Sequence, residues 1–185
     1  DAEIEVPGLG RVTLDVAYGG AFFAIVDARR FGLRIVREEA RRLVELGEAI
    51  KDAARRQLTV SHPENPAINE IVFTEFILPI AEVNGEPTGR NTVVISPGKL
   101  DRSPCGTGTC ARLAVMHARG ELGVGEGFVS RSVLNSRFDG RIEATTTLRD
   151  GTPAILPSIS GRAWITGFHN YVLDPDDPWP HGYTL

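Results

Sequence analysis

Apolar and polar residues alternate with period two from the start of the chain. Ile4-Glu5-Val6, the turn Gly8-Leu9-Gly10 and then Val12-Thr13-Leu14-Asp15-Val16-Ala17-Tyr18 predict a β-hairpin. Gly19-Gly20 turns the chain into the continuous apolar run Ala21–Val26, a buried strand. The period then changes. Between Arg37 and about Gln57, Leu43, Leu46, Ile50 and Ala53 recur at three- and four-residue spacing, with Arg and Glu on the other face. That predicts an amphipathic helix with a solvated outer side. His62–Pro66 is a loop, and Ile71–Leu78 and Asn91–Ile95 are strands joined through the turn Asn84-Gly85-Glu86-Pro87. A second helix, Gly106 to Arg119, is apolar over much of its circumference (Ala111, Leu113, Ala114, Val115, Met116) and is expected inside other elements, with Gly120 ending it. Gly127–Val133, Gly140–Leu148, Ala154–Leu156 and Arg162–Thr166 read as further strands, with Asp150-Gly151 as a hairpin turn. The sum is an α+β fold: a curved, mostly antiparallel sheet wrapped around the Gly106–Arg119 helix, with the Arg37–Gln57 helix outside. One domain is expected over residues 1–173. A Pro-rich tail, 174–185, follows, and its Trp179 wants a partner surface.

Composition narrows the class. At 185 residues, 42% hydrophobic and 24% charged, the chain has the makings of one globular domain with a real core. A net charge of −4 gives no electrostatic case for nucleic acid or for an anionic membrane, and the longest clean apolar run, Ala21–Val26, is too short to span a bilayer. Two cysteines within one turn-helix unit make no disulfide framework, so a reducing, cytoplasmic setting is expected. The histidines, at 62, 117, 169 and 181, lack ligand spacing, and no metal site is expected. His117 reads as a helix residue, and His169 as a residue that either lines a cleft or lies outside it. Numbering opens at Asp1 directly in strand-like sequence, and the only Met is Met116, so the chain is expected to lack its original beginning.

The chemistry concentrates in Asp101-Arg102-Ser103-Pro104-Cys105-Gly106-Thr107-Gly108-Thr109-Cys110-Ala111-Arg112. A helix start leaves backbone N–H groups unpaired and carries the positive end of the dipole. Both favour a thiolate at Cys105, so a depressed pKa is expected there. The same amides, at Gly106 and Thr107, suit a carboxylate. Asp101 is placed to accept from a substrate amine or, equally, to form a turn. A buried, inert Cys is the plainer alternative for Cys105. Cys110, rotated about 140° further round the helix, is expected to pack in the core.

This stretch resembles the second active-site motif of the proline racemase family, which includes 4-hydroxyproline 2-epimerases and trans-3-hydroxyproline dehydratases. The likeness extends through Val16–Gly20, Ser96-Pro97-Gly98-Lys99, Ala111–Gly120, Pro157, Gly161–Trp164, Gly167 and Asp174–Pro178, essentially the whole chain. The resemblance implies a diaminopimelate-epimerase-like fold of two similar halves with the active site between them, working without a cofactor. It implies Cys105 as one of two acid/base thiols, Gly106 and Thr107 as amide ligands of the substrate carboxylate, and Asp101 as the contact to the ring nitrogen. Dehydratase members usually carry Thr in place of Cys105, so racemisation or epimerisation of a small imino acid, proline or hydroxyproline, is implied. Ser96–Lys99 is closer to the hydroxyproline branch. The family's other thiol, in a Met-Cys-Gly-His type motif, has no counterpart here, and Arg131–Ser136 departs from the usual acidic-Ser-Ile-X-Gly run. The chain is therefore expected to be the C-terminal half of a larger enzyme and inactive alone, with a carboxylate-binding fragment as the non-enzymatic alternative. The tail is expected to pack toward the missing N-terminal half, and the exposed cleft wall to favour a homodimer.

Overall fold

Alternation does what period two requires at the first hairpin. In the computed structural model, which describes residues 1–184, β1 (Ala2–Val6) pairs antiparallel with β2 (Gly10–Tyr18), and Ile4, Val6, Val12 and Leu14 are buried. β2 pairs with β3 (Phe22–Asp27) through the Gly19-Gly20 turn. A 3₁₀ turn, Arg37–Glu39, leads into α1 (Ala40–Gln57), whose Leu43, Ile50, Ala53 and Ala54 are fully buried. β4 (Ile71–Val83) lies parallel to β3, and β5 (Glu86–Ile95) returns antiparallel through Asn84 and Gly85, both at positive φ as such a tight turn requires. A short β6 (Lys99–Leu100) folds back on β5. α2 (Gly106–Ala118) crosses over to β7 (Gly127–Arg131), parallel to β5, and β8 (Arg137–Thr147) and β9 (Pro153–Gly161) complete the sheet.

The order across the sheet is β1-β2-β3-β4-β5-β7-β8-β9. Two crossovers join parallel strands: β3 to β4 through α1, and β5 to β7 through α2. Such crossovers are right-handed. Because β5 runs opposite to β4 while the chain keeps moving in one direction across the sheet, that rule puts α1 and α2 on opposite faces. Side chains agree: the Thr74 hydroxyl donates to the Gly47 carbonyl of α1 at 2.8 Å, whereas its neighbour Glu75 lies under Gly108 of α2. The outer core gathers Ile4, Val6, Leu43, Ile50, Phe76 and Val94 beneath α1. The inner core packs Phe23, Ile25, Val93 and Ala111, then Leu113, Met116, Phe128 and Ile142, around α2. α2 touches β2 and β3 toward one end of the sheet and β8 and β9 at the other, so the sheet curls around it. The α+β reading with a central helix holds.

Some boundaries differ from the sequence pattern. β4 and β5 extend into an exposed arm through Val83 and Glu86, where backbone pairing continues after the apolar alternation has stopped. β8 begins at Arg137 and β9 runs to Gly161. The expected strand Arg162–Thr166 does not form: Gly161 already pairs with Phe138, β8 begins one residue before Phe138, and no strand remains for the next residues to pair with. From Arg162 onward the described chain is exposed and irregular, including Trp164, Ile165, Phe168, Tyr171, Leu173 and Trp179.

Candidate active site

A chain of small turns sets the thiol. The Asp101 N–H donates to the Val93 carbonyl at 3.0 Å, anchoring the segment to β5. Asp101 Oδ1 then accepts from the Ser103 N–H at 2.9 Å and the Ser103 hydroxyl at 3.0 Å, a side-chain turn of the kind aspartate favours. Ser103 Oγ in turn accepts from the Cys105 N–H at 3.0 Å. The Pro104 carbonyl accepts from Asn91 Nδ2 at 2.7 Å and from the Thr109 hydroxyl at 3.3 Å. So held, Cys105 is the N-cap of α2, with φ 62° and ψ 116°, and its Sγ lies 3.4 Å from the Gly108 N–H and 3.4 Å from Thr107 Oγ1.

The first amides of α2 have no helical partner. Among the described residues no hydrogen bond reaches the N–H of Gly106 or Thr107. Gly106 faces open space: a β-carbon there would meet nothing within 4 Å. Behind them the Gly19-Gly20 turn lies directly on the helix. A β-carbon on Gly19 would stand 2.1 Å from the Thr107 carbonyl oxygen and 2.5 Å from the Ala111 nitrogen, and one on Gly20 2.7 Å from Thr107 Cγ2. Only glycines allow this approach.

Cys105, Gly106, Thr107 and Asp101 are thus brought together on one face. Asp101 acts as a turn-former through one oxygen. The electrostatics correct one expectation: Cys105 is not a depressed thiol in this chain. Burial pushes it above the ordinary value, and the carboxylates of Glu75 and Asp101 add to that, against the lowering by the Thr107 hydroxyl and the Gly108 N–H. Withdrawal from water outweighs the two hydrogen bonds. Cys110 also departs from expectation. It is half-buried rather than packed in the core, because the helix turns its Cβ to the flank of the inner core. Burial, then the Cys105 and Glu75 charges, push its thiol up too. His169 lies in the exposed stretch after β9, stacked on Tyr171.

The sequence pattern did not single out three buried polar residues beneath the site. Glu75 is fully buried, with Oε1 2.5 Å from Asn91 Nδ2 and Oε2 without a partner. Asn91 Oδ1 accepts from the Ser130 hydroxyl at 3.2 Å. Burial raises the Glu75 carboxyl to about 7, although the Asn91 hydrogen bond and the Arg112 charge pull the other way. Arg112, on α2, donates to the Leu78 carbonyl at 2.5 Å and the Arg90 carbonyl at 3.4 Å and lies over the Phe128 ring; burial lowers it to about 10. The available signal was a glutamate inside Ile71–Leu78, a strand apolar on both faces.

The cavities lie elsewhere. One of about 550 Å³ sits at the far end of α2, between Asp15, Arg112, Met116, Arg119 and Phe128. Another, about 500 Å³, runs between α1 and β6 with Asp101 on its rim. Cys105 lines neither, and its neighbour Gly106 faces open space. Among the described residues no cluster of His, Cys, Asp or Glu gathers to hold a metal, and no helix is long and apolar enough to cross a membrane.

Fold and site together describe an α+β unit with a partly buried thiol at the start of its central helix. Residues 1–184 match the family described as Proline racemase, and the chain belongs to that family. It is similar, at 40% identity and a TM-score of 0.83, to the crystal structure of a probable proline racemase from Agrobacterium radiobacter K84 with bound carbonate. The same identity and TM-score relate it to a hydroxyproline epimerase from Agrobacterium vitis with bound trans-4-OH-L-proline. Each likeness covers 100% of this chain but only 53% and 52% of those chains, so this chain spans about half their length.

Proposed function

We propose that this chain forms one wall of the active site of a cofactor-independent isomerase that inverts Cα of 4-hydroxyproline, with Cys105 as one of two acid/base thiols. The observation that carries the reading is a thiol capping α2 beside two amides, Gly106 and Thr107, that have no hydrogen-bond partner among the described residues. Family membership and the hydroxyproline epimerase among its structural relatives support the substrate class.

Inverting a stereocentre by proton transfer needs a base on one face of Cα and an acid on the other. The Gly106 and Thr107 amides hold the carboxylate, and their partial positive charge stabilises the negative charge that develops as Cα loses its proton. Asp101, through its remaining oxygen, accepts from the ring ammonium. Cys105, kept protonated by burial, starts as the acid and returns as a thiolate for the reverse reaction. Cys110 shares its helix and cannot reach the opposite face of the same carbon, so the second thiol comes from another half of the enzyme, against which the described part of the tail, 174–184, packs.

The test is α-proton exchange in deuterated water, using this chain joined to that other half. Exchange with trans-4-hydroxy-L-proline that Cys105→Ser abolishes supports the reading. Exchange with proline alone makes the enzyme a proline racemase, and no exchange with either leaves only a carboxylate-binding unit. The 185-residue chain by itself shows no turnover; measurable turnover would refute the two-half arrangement.

A further inference from the structure

We propose that Glu75 is a positioning residue for Cys105: its carboxyl lies beneath the first turn of α2, and its ionisation governs how readily the thiol gives up its proton. The inference rests on the reading of Cys105 as an acid/base group. Its test needs no substrate.

The geometry is specific. Asn91 Nδ2 has two hydrogens, and both are used toward this site: one to Glu75 Oε1 and one to the Pro104 carbonyl, directly before Cys105. A β-carbon at Gly108 would lie 3.3 Å from Glu75 Cδ and Oε1. The Glu75 carboxyl therefore packs against Gly108, whose N–H is the one bonded to Cys105 Sγ. A side chain at residue 108 would wedge the two apart.

Glu75 is also an odd choice on structural grounds alone. Its second oxygen is buried without a partner. It makes no ion pair with Arg112, which spends its N–H groups on two backbone carbonyls and acts on Glu75 only through space. A glutamine would satisfy Asn91 equally well without the penalty of a buried charge. A titratable group in that place adds one thing a glutamine cannot, which is a charge that changes. The titratable groups coupled to it are Arg112, Cys105 and Cys110 of α2, and Asp101 acts on the same Cys105 thiol.

The sign follows from Coulomb repulsion. While Glu75 holds its proton, the Cys105 thiolate faces no negative neighbour below it. Once Glu75 ionises, the thiolate is disfavoured. Burial holds the carboxyl at about 7, so the change falls in the neutral range. Thiol reactivity then climbs with pH less steeply than for an isolated thiol, as two coupled groups require.

The experiment is iodoacetamide alkylation of Cys105 as a function of pH, in the chain carrying Cys110→Ser. The logarithm of the rate is expected to rise with unit slope, flatten through neutrality and then resume. In Glu75→Gln the flattening disappears, and at mildly alkaline pH the rate is about threefold to tenfold higher. Glu75→Asp, which keeps the carboxyl, keeps a flattened segment. Superimposable profiles for parent and Glu75→Gln overturn the proposal. So does a strict unit slope through neutrality in the parent, a result that does not depend on any Glu75 variant folding. Alkylation without coupling leaves the isomerase reading intact, and absent α-proton exchange leaves the coupling intact.

Discussion

At the scale of single residues, Glu75 has a thermodynamic signature beyond the thiol. Its folded value, about 7, lies above the ordinary 4.5. Between those two values the unfolded chain has lost the proton and the folded chain keeps it, so the folded state binds more protons and stability falls as pH rises. Over that window the loss amounts to about 3 kcal/mol. Asp27, Glu39, Glu86 and Asp150 act in the other direction: their partners hold them below the ordinary carboxylate value, and their contribution is lost as pH falls through the acid range. Urea unfolding is therefore expected to show stability declining from about pH 5 to about pH 8, with Glu75→Gln removing most of the decline. If the variant keeps the parental slope, Glu75 is not its source. The helix start that sets Cys105, Gly106 and Thr107 was legible in the sequence, because Pro-Cys-Gly-Thr-Gly before an apolar run spells one. Glu75, Asn91 and Arg112 were not, because a polar residue within an apolar run reveals its burial only when its partners, distant in sequence, are in place.

Among elements, the decisive contact is between the β2–β3 turn and the first turns of α2. Gly19-Gly20 reads from sequence as a turn and nothing more. Its role is a backbone-on-backbone seat that fixes the height of the thiol above the sheet. Gly19→Ala drives a β-carbon into the Thr107 carbonyl and the Ala111 nitrogen, neither of which can swing aside. It should destabilise the chain by about 2 kcal/mol or more in urea unfolding. Gly106→Ala, immediately before Thr107 of that seat, meets nothing. It should stay within about 0.5 kcal/mol of the parent. Equal effects at the two positions would mean that the turn yields and does not locate the helix. Helices and strands were readable from their periods: α1 buries Leu43, Ile50 and Ala53 and α2 buries Ala111, Leu113 and Met116, while Leu46, Ala114 and Val115 are only partly covered. Strand ends were less so. Pairing is a property of the backbone, so β4 and β5 continue past their apolar residues, while Arg162–Thr166, apolar but without a neighbouring strand, does not form one.

For the molecule as a whole, α2 inside and α1 outside follow from one reversal of strand direction, and the sheet's curl leaves the start of α2, with Gly106 facing open space, at one end of the inner core. The other open surface is the stretch after β9. Phe168 is 92% exposed, Tyr171 90% and Val172 86%, so this stretch leaves several large apolar side chains to solvent, the kind of surface that drives association. The chain alone should bind a hydrophobic dye and associate at high concentration, and truncation after Gly161 should reduce both. A monomer that binds no dye would show this stretch needs no cover.

The backbone at Cys105 has a further meaning. Its φ of 62° lies in the left-handed region, where a residue with a β-carbon costs about 1–3 kcal/mol. Glycine, the residue at ease there, is the one that has no sulfur to offer. Glycine here would relieve the strain and remove the sulfur, so a thiol at this position carries a local backbone cost that the rest of the fold must offset.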